Sequence, residues 1–416
     1  MLTLRWAKAH SNVPLRTVVG AFLAALSTLA WSAEFTVGPG DVRDGYESRD
    51  FRSHSNMLEI RPGDALPLAE LVAAPPLGLP PMPVAPSAAE IDLGRRLFYD
   101  RRLSVNDTLS CGMCHIPEQG FAQNELATPV GLEGRSVRRN VPSLYNVAYM
   151  ASLFLDGRES ELTSQIWGPL LAINEMGNPD RKAVLASVGA IEDYAARFSE
   201  LYPQGLTELT LGSALAAYQS ALLSAASPFD RWYFAGIATA LDEQAIRGFE
   251  VFQRRGCVSC HIVGSEHALF TDGRFHNTGA GYVRHTRSLQ PARVQLAPGV
   301  FVQPTVAIEV SMLADEGRFE VTGRAQDRWR YRTPSLRNVA LTGPYMHDGS
   351  LASLDAVLKF YNAGGGGDPQ QDPRVQPLHL TPRELAALKA FLHALTGANV
   401  DALASDARSV TIGDVR

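Results

Sequence analysis

The chain has 416 residues, with 38 basic and 43 acidic side chains, a formal net charge of −5 and a pI near 6.1. Hydrophobic residues make up 45% of it and charged residues 19%, which is typical of a globular protein with two or three domains. Since there is no basic excess, nucleic acid is excluded as the main partner. All four cysteines fall in two closely spaced pairs, which leaves none for a disulfide scaffold.

Residues 1–33 have the layout of a secretory signal peptide, in which basic residues precede an apolar stretch and a small-residue cleavage site. Basic residues as far as Arg16 are followed by an apolar stretch over residues 18–30 and then by Ala33. A retained membrane anchor is the alternative, but this stretch is shorter than the roughly 20 residues that a spanning helix needs. We therefore expect a periplasmic protein with no membrane span after cleavage.

Residues 34–86 are predicted to form an irregular, Pro-rich N-terminal segment. Its proline density over residues 74–83 is too high for a helix or a central strand. Regular structure is expected to begin at Ser87, because Ser87 and Glu90 have the spacing of a capping box. In that arrangement each side chain accepts a hydrogen bond from the other residue's backbone N–H.

A second helix is predicted from Asp242 to Arg254, and each of these two helices leads into one cysteine pair. Gly94 and Gly248 occupy similar places in the two helices and are followed by similar apolar residues. Coincidence between two amphipathic helices is the alternative. Since both segments end in the same cysteine motif, we interpret the similarity as an internal duplication.

Further helices are indicated between and after the two motifs. A buried helical face is marked by Leu211, Leu215, Tyr218 and Leu222. A closing helix is expected after Thr381, which would be its N-cap. Pro382 would be its first residue, and Glu384, its third residue, would complete a capping box with Thr381. Strand patterns are few, and the best is a short one over residues 301–310. The pattern therefore predicts an all-α protein with two similar domains and long loops.

Each cysteine pair is followed directly by a histidine, so that both motifs read C-x-x-C-H. They consist of Cys111, Cys114 and His115, and of Cys257, Cys260 and His261. Such cysteines can form thioethers to the two vinyl groups on one haem edge, and the histidine then lies beneath the iron as its proximal ligand. Two pairs could instead form a zinc site, but zinc would not require a histidine after each. The motifs predict two covalently bound c-type haems in two cytochrome c-like domains.

Motifs from about residue 79 to residue 396 resemble those of the bacterial dihaem cytochrome c peroxidase/MauG superfamily. They are residues 93–100 (LGRRLFYD), 110–115 (SCGMCH), 139–144 (RNVPSL), 156–158 (DGR), 174–176 (NEM), 333–338 (TPSLRN) and 344–349 (PYMHDG). The resemblance implies a peroxidatic haem in an N-terminal domain, residues 87–238, and an electron-transfer haem in a C-terminal domain, residues 239–400. Residues 401–416 would form a C-terminal tail.

The resemblance also implies a peroxide-binding pocket, in which Gln165, Pro169 and Glu175 stand for the family's glutamine, proline and acid/base glutamate. Cleavage of the peroxide O–O bond needs a group that takes a proton from one oxygen and returns it to the leaving oxygen. A carboxylate in a partly apolar pocket can have its pKa raised into a useful range for this task. A solvated surface carboxylate is the alternative for Glu175, and the surrounding motif favours the catalytic role.

A calcium ion between the domains is a further implication of the resemblance. Its ligands would be the side-chain oxygen of Asn140 and the backbone carbonyls of Thr342 and Pro344, all hard oxygen ligands that suit this ion. An ordinary loop asparagine and ordinary turn residues remain the alternative.

Three departures from the family pattern indicate a MauG-like, tyrosine-ligated branch. Leu132 stands where ordinary members carry a distal histidine, and since leucine cannot ligate iron, the first haem should react with peroxide without prior reduction. Tyr361 stands where an axial methionine is usual, and a phenolate ligand favours the ferric and higher oxidation states; a packed aromatic is the alternative. Leu155, beside Phe154, replaces the tryptophan between the haems, so the route of charge between them stays open.

We therefore predict an oxidoreductase that reacts with hydrogen peroxide at the first haem and oxidises a donor through the second, preferably a residue on a partner protein. One alternative is a hydrogen-peroxide-detoxifying peroxidase fed by a small cytochrome or copper protein. Another is a non-enzymatic dihaem electron carrier or sensor. Among the remaining histidines, His347 is expected to hold local structure or a haem propionate.

Overall fold

The computed structural model of the chain describes residues 51–54, 57–60, 64–82, 84–288, 294–297, 300–302 and 315–410. The expected signal peptide lies outside these residues, as does the predicted strand beyond residue 302. No helix in the described ranges combines the length and the apolarity that crossing a membrane requires.

The described part of the protein is mostly helical, as predicted. The helices are α1 (Leu68–Ala73), α2 (Ala88–Tyr99), α3 (Leu162–Gln165), α4 (Trp167–Leu171), α5 (Arg181–Gly189), α6 (Glu192–Leu201), α7 (Glu208–Ser220), α8 (Pro228–Tyr233), α9 (Glu243–Arg254), α10 (Ala280–Ser288), α11 (Phe319–Thr322), α12 (Leu354–Asn362), α13 (Pro382–His393) and α14 (Val400–Ala407). Short 3-10 turns lie at Arg101–Leu103, Cys111–Met113, Pro117–Gln119, Leu132–Gly134, Val147–Tyr149, Ala238–Ala240, Cys257–Ser259, Ala325–Asp327 and Val339–Leu341.

Strands in the described residues are short and occur in three antiparallel pairs. They are β1 (Phe51–His54) with β2 (Met57–Ile60), β3 (Phe275–His276) with β6 (Tyr331–Arg332), and β4 (Val294–Ala297) with β5 (Val300–Val302). The β1–β2 hairpin belongs to a separate unit that ends at Arg61. This hairpin and α1 differ from the irregular segment predicted over residues 34–86. Their four to six residues are too few for a periodic pattern to stand out from the surrounding prolines.

The first hydrophobic core is built around α2 and α7. The predicted capping box is present, since the Ser87 side chain accepts from the Glu90 N–H and the Glu90 side chain from the Ser87 N–H. Gly94 allows the two helices to approach closely, because a Cβ there would lie 1.8 Å from the Ala214 carbonyl oxygen. The core includes Leu97, Phe98, Phe198, Leu211, Leu215, Tyr218 and Leu222, together with Leu403 and Ala407 of α14.

The second hydrophobic core repeats this arrangement with α9 and α13. Asp242 caps α9, and Thr381 caps α13 with Pro382 in its first turn, as predicted. A Cβ at Gly248 would lie 2.0 Å from the Ala387 carbonyl oxygen. The sequence similarity around Gly94 and Gly248 therefore corresponds to the same close approach of two helices in each core.

The two cores do not follow the predicted domain boundaries at every point. Phe229 precedes residue 239 but packs in the second core, and α14 begins the expected C-terminal tail but packs in the first. On α2, Arg95 forms an ion pair of 2.5 Å with the buried Asp406 of α14. The chain thus returns to its first core after completing the second, and the boundaries at residues 87, 239 and 401 stay predictions.

A second internal repeat links the two cores, and the sequence patterns above did not reveal it. The sequence P-S-L-x-N-V-A occurs at residues 142–148 and again at residues 334–340. Asn146 and Asn338 adopt left-handed backbone conformations, with φ of 61° and 60°. The Asn146 side chain accepts from the Ser224 N–H over 2.9 Å, and the Asn338 side chain accepts from the Ser224 hydroxyl over 3.1 Å. Ser224 is thereby held by the same asparagine of both repeats.

Candidate active site

The first C-x-x-C-H motif forms a compact turn directly after α2. The His115 N–H donates to the Cys111 carbonyl over 2.9 Å, which folds the histidine back beneath the cysteine pair. The His115 Nδ1 lies 2.9 Å from the Phe121 carbonyl oxygen. Burial lowers the pKa of His115, so the ring is neutral, and a carbonyl partner requires the proton on Nδ1. The Nε2 lone pair is then free to ligate a metal.

The second motif has the same construction. The His261 N–H donates to the Cys257 carbonyl over 2.9 Å, and the His261 Nδ1 lies 2.8 Å from the Phe270 carbonyl oxygen. Burial again lowers the pKa of the histidine. Both histidines are therefore oriented and neutral, as a proximal haem ligand has to be.

The cysteines are partly buried free thiols. Burial raises the pKa of Cys111 to about 12 and the pKa of Cys257 to about 11. In the described part of the chain, the ligand atoms of the two pairs do not come together into one cluster, so a shared zinc site is not formed. The one cluster found there joins Cys260, Asp272 and His276.

That cluster has an internal explanation. The His276 ring is held between two carboxylates, with Nε2 at 2.8 Å from Asp272 and Nδ1 at 2.8 Å from Asp372. Arg374 pairs in turn with Asp372 over 2.7 Å. The two carboxylates are therefore paired with His276 and Arg374 and need no metal ion as a partner. The sulfur of Cys260 would be used in a thioether.

A cavity of about 370 Å³ adjoins the second motif. Its walls include Cys257, Cys260, His261 and Tyr361, together with the apolar side chains of Phe252, Val357, Leu358, Leu378, Leu388 and Leu392. The cavity thus combines two thiols that can form thioethers, an imidazole that can ligate iron, and an apolar lining. This combination fits a covalently attached haem.

Tyr361 reaches this cavity from the last turn of α12. The helix is capped by the Ser353 side chain, which accepts from the Ala356 N–H. Burial raises the pKa of Tyr361 to about 12, with smaller contributions from the charges of Cys260 and Cys257. The phenol therefore keeps its proton in this environment until a cation such as ferric iron stabilises the phenolate. The structure thus places the predicted axial tyrosine and His261 in the walls of one cavity.

The loop with Leu132 packs against the loop with Glu175. The Leu132 N–H donates to the Glu175 carbonyl over 3.1 Å, and the Leu132 side chain is only 6% exposed. The approach is close, since a Cβ at Gly131 would lie 2.1 Å from the Asn174 carbonyl oxygen. Leu132, the residue predicted to replace a distal histidine, and Glu175 are therefore neighbours.

Glu175 is half-buried and lies near the first haem motif. Burial raises the pKa of its carboxyl group, and the positive charge of Arg158 opposes that rise. The charge of Glu175 acts on both Cys111 and Cys114, whose thiol pKa values it helps to raise. A carboxyl group with a raised pKa beside a haem motif can accept and return a proton.

Pro169 and Gln165 lie on the two short helices before Glu175. The Pro169 carbonyl accepts from the Met176 N–H over 3.1 Å, which joins α4 to the Glu175 loop. Gln165 is the last residue of α3 and is half-buried. The structure thus brings Pro169 next to Glu175, with Gln165 on the helix directly before it.

The three residues predicted to bind calcium line the cavity of the second motif. Asn140, Thr342 and Pro344 all contribute to its wall. The Asn140 side chain donates through Nδ2 to the Ala127 carbonyl over 2.9 Å, which leaves its Oδ1 available to a cation. An amide oxygen and backbone carbonyls fit the chemistry of calcium.

Comparison with known proteins shows the family of this chain. A family model described as di-haem cytochrome c peroxidase matches residues 88–238. Cytochrome-c peroxidase IdrP1 of Denitromonas iodatirespirans is 36% identical over 343 residues, which cover 77% of this chain and 86% of the relative. Methylamine utilization protein MauG of Methylorubrum extorquens is 33% identical over 311 residues, which cover 74% and 78%.

A solved structure of a MauG-like protein associated with microbial copper homeostasis matches with a TM-score of 0.64 and 30% identity, over 79% of this chain and 96% of that one. The chain therefore belongs to the di-haem cytochrome c peroxidase family. It is accordingly an oxidoreductase, and two c-type haems are its family's cofactors.

Proposed function

We propose that this protein is an exported dihaem peroxidase-type oxidase of the MauG-like branch. The first haem would be attached to Cys111 and Cys114 with His115 as its axial ligand, and the second to Cys257 and Cys260. When bound, the haems supply iron that reacts with hydrogen peroxide at the first site and transfers electrons at the second. The assignment to this branch is carried by one observation, that Tyr361 lines the same cavity as His261.

Sequence and burial both support Tyr361 as the second axial ligand of that haem. No methionine follows Met346 in the chain, so the usual thioether ligand has no candidate on this segment. The phenol of Tyr361 lies in the haem cavity, and phenolate is an established haem ligand that stabilises the ferric state. This ligation disfavours an ordinary ferrous electron relay and favours oxidation of a residue, such as tryptophan or tyrosine, on a partner protein.

At the first site, Glu175 would move the proton that O–O cleavage requires. Its carboxylate takes a proton from one peroxide oxygen and returns it to the leaving oxygen as water. Burial in the fold raises the pKa of Glu175 and so makes its carboxylate a stronger base for the first proton transfer, while Arg158 limits the rise. Gln165 and Pro169 would shape the pocket around the peroxide, and Leu132 offers no atom that could ligate a metal.

Calcium would bind between the two haem sites through Asn140, Thr342 and Pro344. Export to the periplasm rests on the sequence of residues 1–33. Hydrogen peroxide and a protein donor are then the partners that the protein would meet in that compartment.

The test uses the holoprotein in its oxidised form, as isolated. Electron paramagnetic resonance and optical spectra should show one high-spin and one low-spin haem, and stoichiometric hydrogen peroxide should react without prior reduction. Tyr361→Phe should change the low-spin signal. Tyr345→Phe is the matched control, since Tyr345 lines the same cavity but its hydroxyl donates to the Val339 carbonyl over 2.9 Å. Two six-coordinate, low-spin haems that do not react with peroxide would refute the proposal.

A second candidate function is removal of hydrogen peroxide with electrons from a small cytochrome or copper protein. It is favoured by the relative of 36% identity, whose name is cytochrome-c peroxidase. Rapid steady-state turnover with reduced cytochrome c would support this function and contradict oxidation of a partner protein. Turnover only with a protein substrate, at stoichiometric peroxide, would support the first proposal.

A further inference from the structure

Arg332 stands apart from the other arginines in the wall of the second haem cavity. Its Nε donates to the Phe154 carbonyl over 3.2 Å, and its Nη1 lies 3.1 Å from the Met150 sulfur. Among the residues that the structure describes, no carboxylate forms an ion pair with it. Burial accordingly lowers the pKa of Arg332, with no neighbouring anion to oppose the effect.

The other three arginines that line this cavity are paired with carboxylates. Their ion pairs are Arg255 with Glu384 at 3.4 Å, Arg337 with Asp230 at 2.9 Å, and Arg374 with Asp372 at 2.7 Å. A largely buried guanidinium without an anion destabilises a fold, because the charge loses its hydration and gains no partner. No described residue therefore supplies the anion that would balance the charge of Arg332.

The internal repeat places Arg332 at the position that Asn140 holds in the first half of the chain. Arg332 precedes Pro334 by two residues, and Asn140 precedes Pro142 by two residues in the equivalent segment. The Pro334 carbonyl lies close to the ring of His261, and the Pro142 carbonyl lies close to the ring of His115 in the same way. Equivalent positions in the two repeats thus carry an arginine in the second half and an asparagine in the first, and both residues line the cavity of the second motif.

We infer that Arg332 is a positioning residue that binds a propionate carboxylate of the second haem. A guanidinium offers several N–H donors in one plane, which match the two oxygens of a carboxylate. The remaining N–H groups of Arg332 would donate to the propionate while Nε stays bonded to the Phe154 carbonyl. The inference rests on attachment of the second haem, which is part of the proposed function.

A consequence for the reduction potential follows from the sign of the charge. Reduction of a ferric haem adds one negative charge, and a fixed cation nearby stabilises that reduced state. Arg332 therefore raises the reduction potential of the second haem and partly offsets the phenolate of Tyr361, which favours the ferric state.

The test is a spectroelectrochemical titration of the holoprotein in the wild-type form and as Arg332→Gln. The variant should lower the equilibrium constant for reduction of the second haem about tenfold, which is a shift of about 59 mV for one electron. The control is Arg374→Gln, which makes the same change in net charge in the same cavity wall. The Arg374 side chain is 42% exposed, so solvent screens its charge and a much smaller shift is expected.

Three outcomes would overturn the inference. They are an unchanged potential in Arg332→Gln with both haems retained, an equal shift in Arg374→Gln, and a wild-type potential that follows the chloride concentration. The last would show that Arg332 binds a free anion rather than a propionate. If Arg332→Gln loses the second haem, Arg332→Lys serves instead, since lysine keeps the positive charge but lacks the planar set of N–H donors. The haem propionate bending band in the resonance Raman spectrum of Arg332→Lys should then shift from its wild-type position. An unchanged band would contradict the contact.

The readouts separate this inference from the proposed function. A protein that fails to react with peroxide but shows the shift in Arg332→Gln would refute the peroxidase mechanism alone. Haem content measured for each variant shows directly whether the second haem is attached.

Discussion

The backbone N–H of Leu132 donates to the backbone carbonyl of Glu175 over 3.1 Å, although the two residues lie on different loops. The bond fixes the apolar Leu132 side chain beside the residue proposed to move protons. Under the proposed function, a side chain at position 132 would leave the first haem iron accessible to peroxide if it has no ligating atom, and would block the iron if it has one.

Replacement of Leu132 by histidine tests this relationship. Leu132→His should convert the high-spin haem to a low-spin, six-coordinate form in the oxidised protein, because imidazole is a strong haem ligand and leucine is none. The reaction with stoichiometric peroxide should then require prior reduction, and electron paramagnetic resonance would record the loss of the high-spin signal. Val130→His is the control, since Val130 is 43% exposed and lies two residues away on the same loop. A high-spin signal that persists in Leu132→His would show that this side chain does not reach the iron.

Loss of the carboxyl group of Glu175 should slow the reaction with peroxide. General acid–base catalysis by a positioned side chain typically contributes 10²–10⁴-fold, so Glu175→Gln should lower the second-order rate constant by about that factor. Stopped-flow mixing of the ferric protein with peroxide measures it. Glu133→Gln provides a matched change on an exposed carboxylate of the neighbouring loop and should leave the rate unchanged. Equal rates in wild type and Glu175→Gln would assign the proton transfer to another group.

The pH dependence of that rate should report the environment of Glu175. The carboxylate must be unprotonated to take the first proton, so the rate should rise with pH through a pKa above the ordinary value of 4.5, because burial raises it. Arg158 opposes this rise, and Arg158→Gln should therefore move the inflection to a still higher pH, whereas Arg158→Lys should keep it near the wild-type position. A shift to lower pH in Arg158→Gln would contradict the proposed electrostatic role.

Loss of the buried ion pair between Arg337 and Asp230 should lower the free energy of unfolding. Their side chains are 1% and 0% exposed, and Arg337 also donates to the carbonyls of Ala268 and Gly78. Arg337→Met leaves the Asp230 charge buried without its partner, which typically costs about 3–5 kcal/mol of unfolding free energy. Denaturant unfolding of the holoprotein, followed by circular dichroism, gives the difference.

The control for this measurement is Arg181→Met. Arg181 pairs with Glu208 at the surface, where both side chains are nearly half exposed, and an exposed pair contributes at most about 1 kcal/mol. A similar loss of stability in both variants would show that burial of the Arg337 pair is not what matters.

Local features of the fold were well predicted from the sequence. The capping boxes at Ser87 and Thr381 each involve residues only three positions apart, so the residue types alone determine which hydrogen bonds can form. The chemistry of haem attachment is equally local, because the spacing of two cysteines and a histidine specifies it.

Contacts between distant segments were not predictable in the same way. The hydrogen bonds of Ser224 with Asn146 and Asn338, and the return of α14 to the first core, join residues that are far apart in the chain. Many alternative pairings of such segments satisfy the same hydrophobic pattern, and only packing of the whole chain selects one of them.

The four cysteines therefore determined by themselves that the protein has two haem-attachment motifs, since that chemistry depends on adjacent residues. The tertiary structure decided what surrounds each motif. It placed Leu132 beside Glu175 and brought Tyr361 into the cavity of His261. It also left Arg332 in that cavity with no carboxylate partner among the residues that the structure describes. These environments arise from segments that meet only when the chain is folded, because the burial and pairing of a charge depend on all of its neighbours in space.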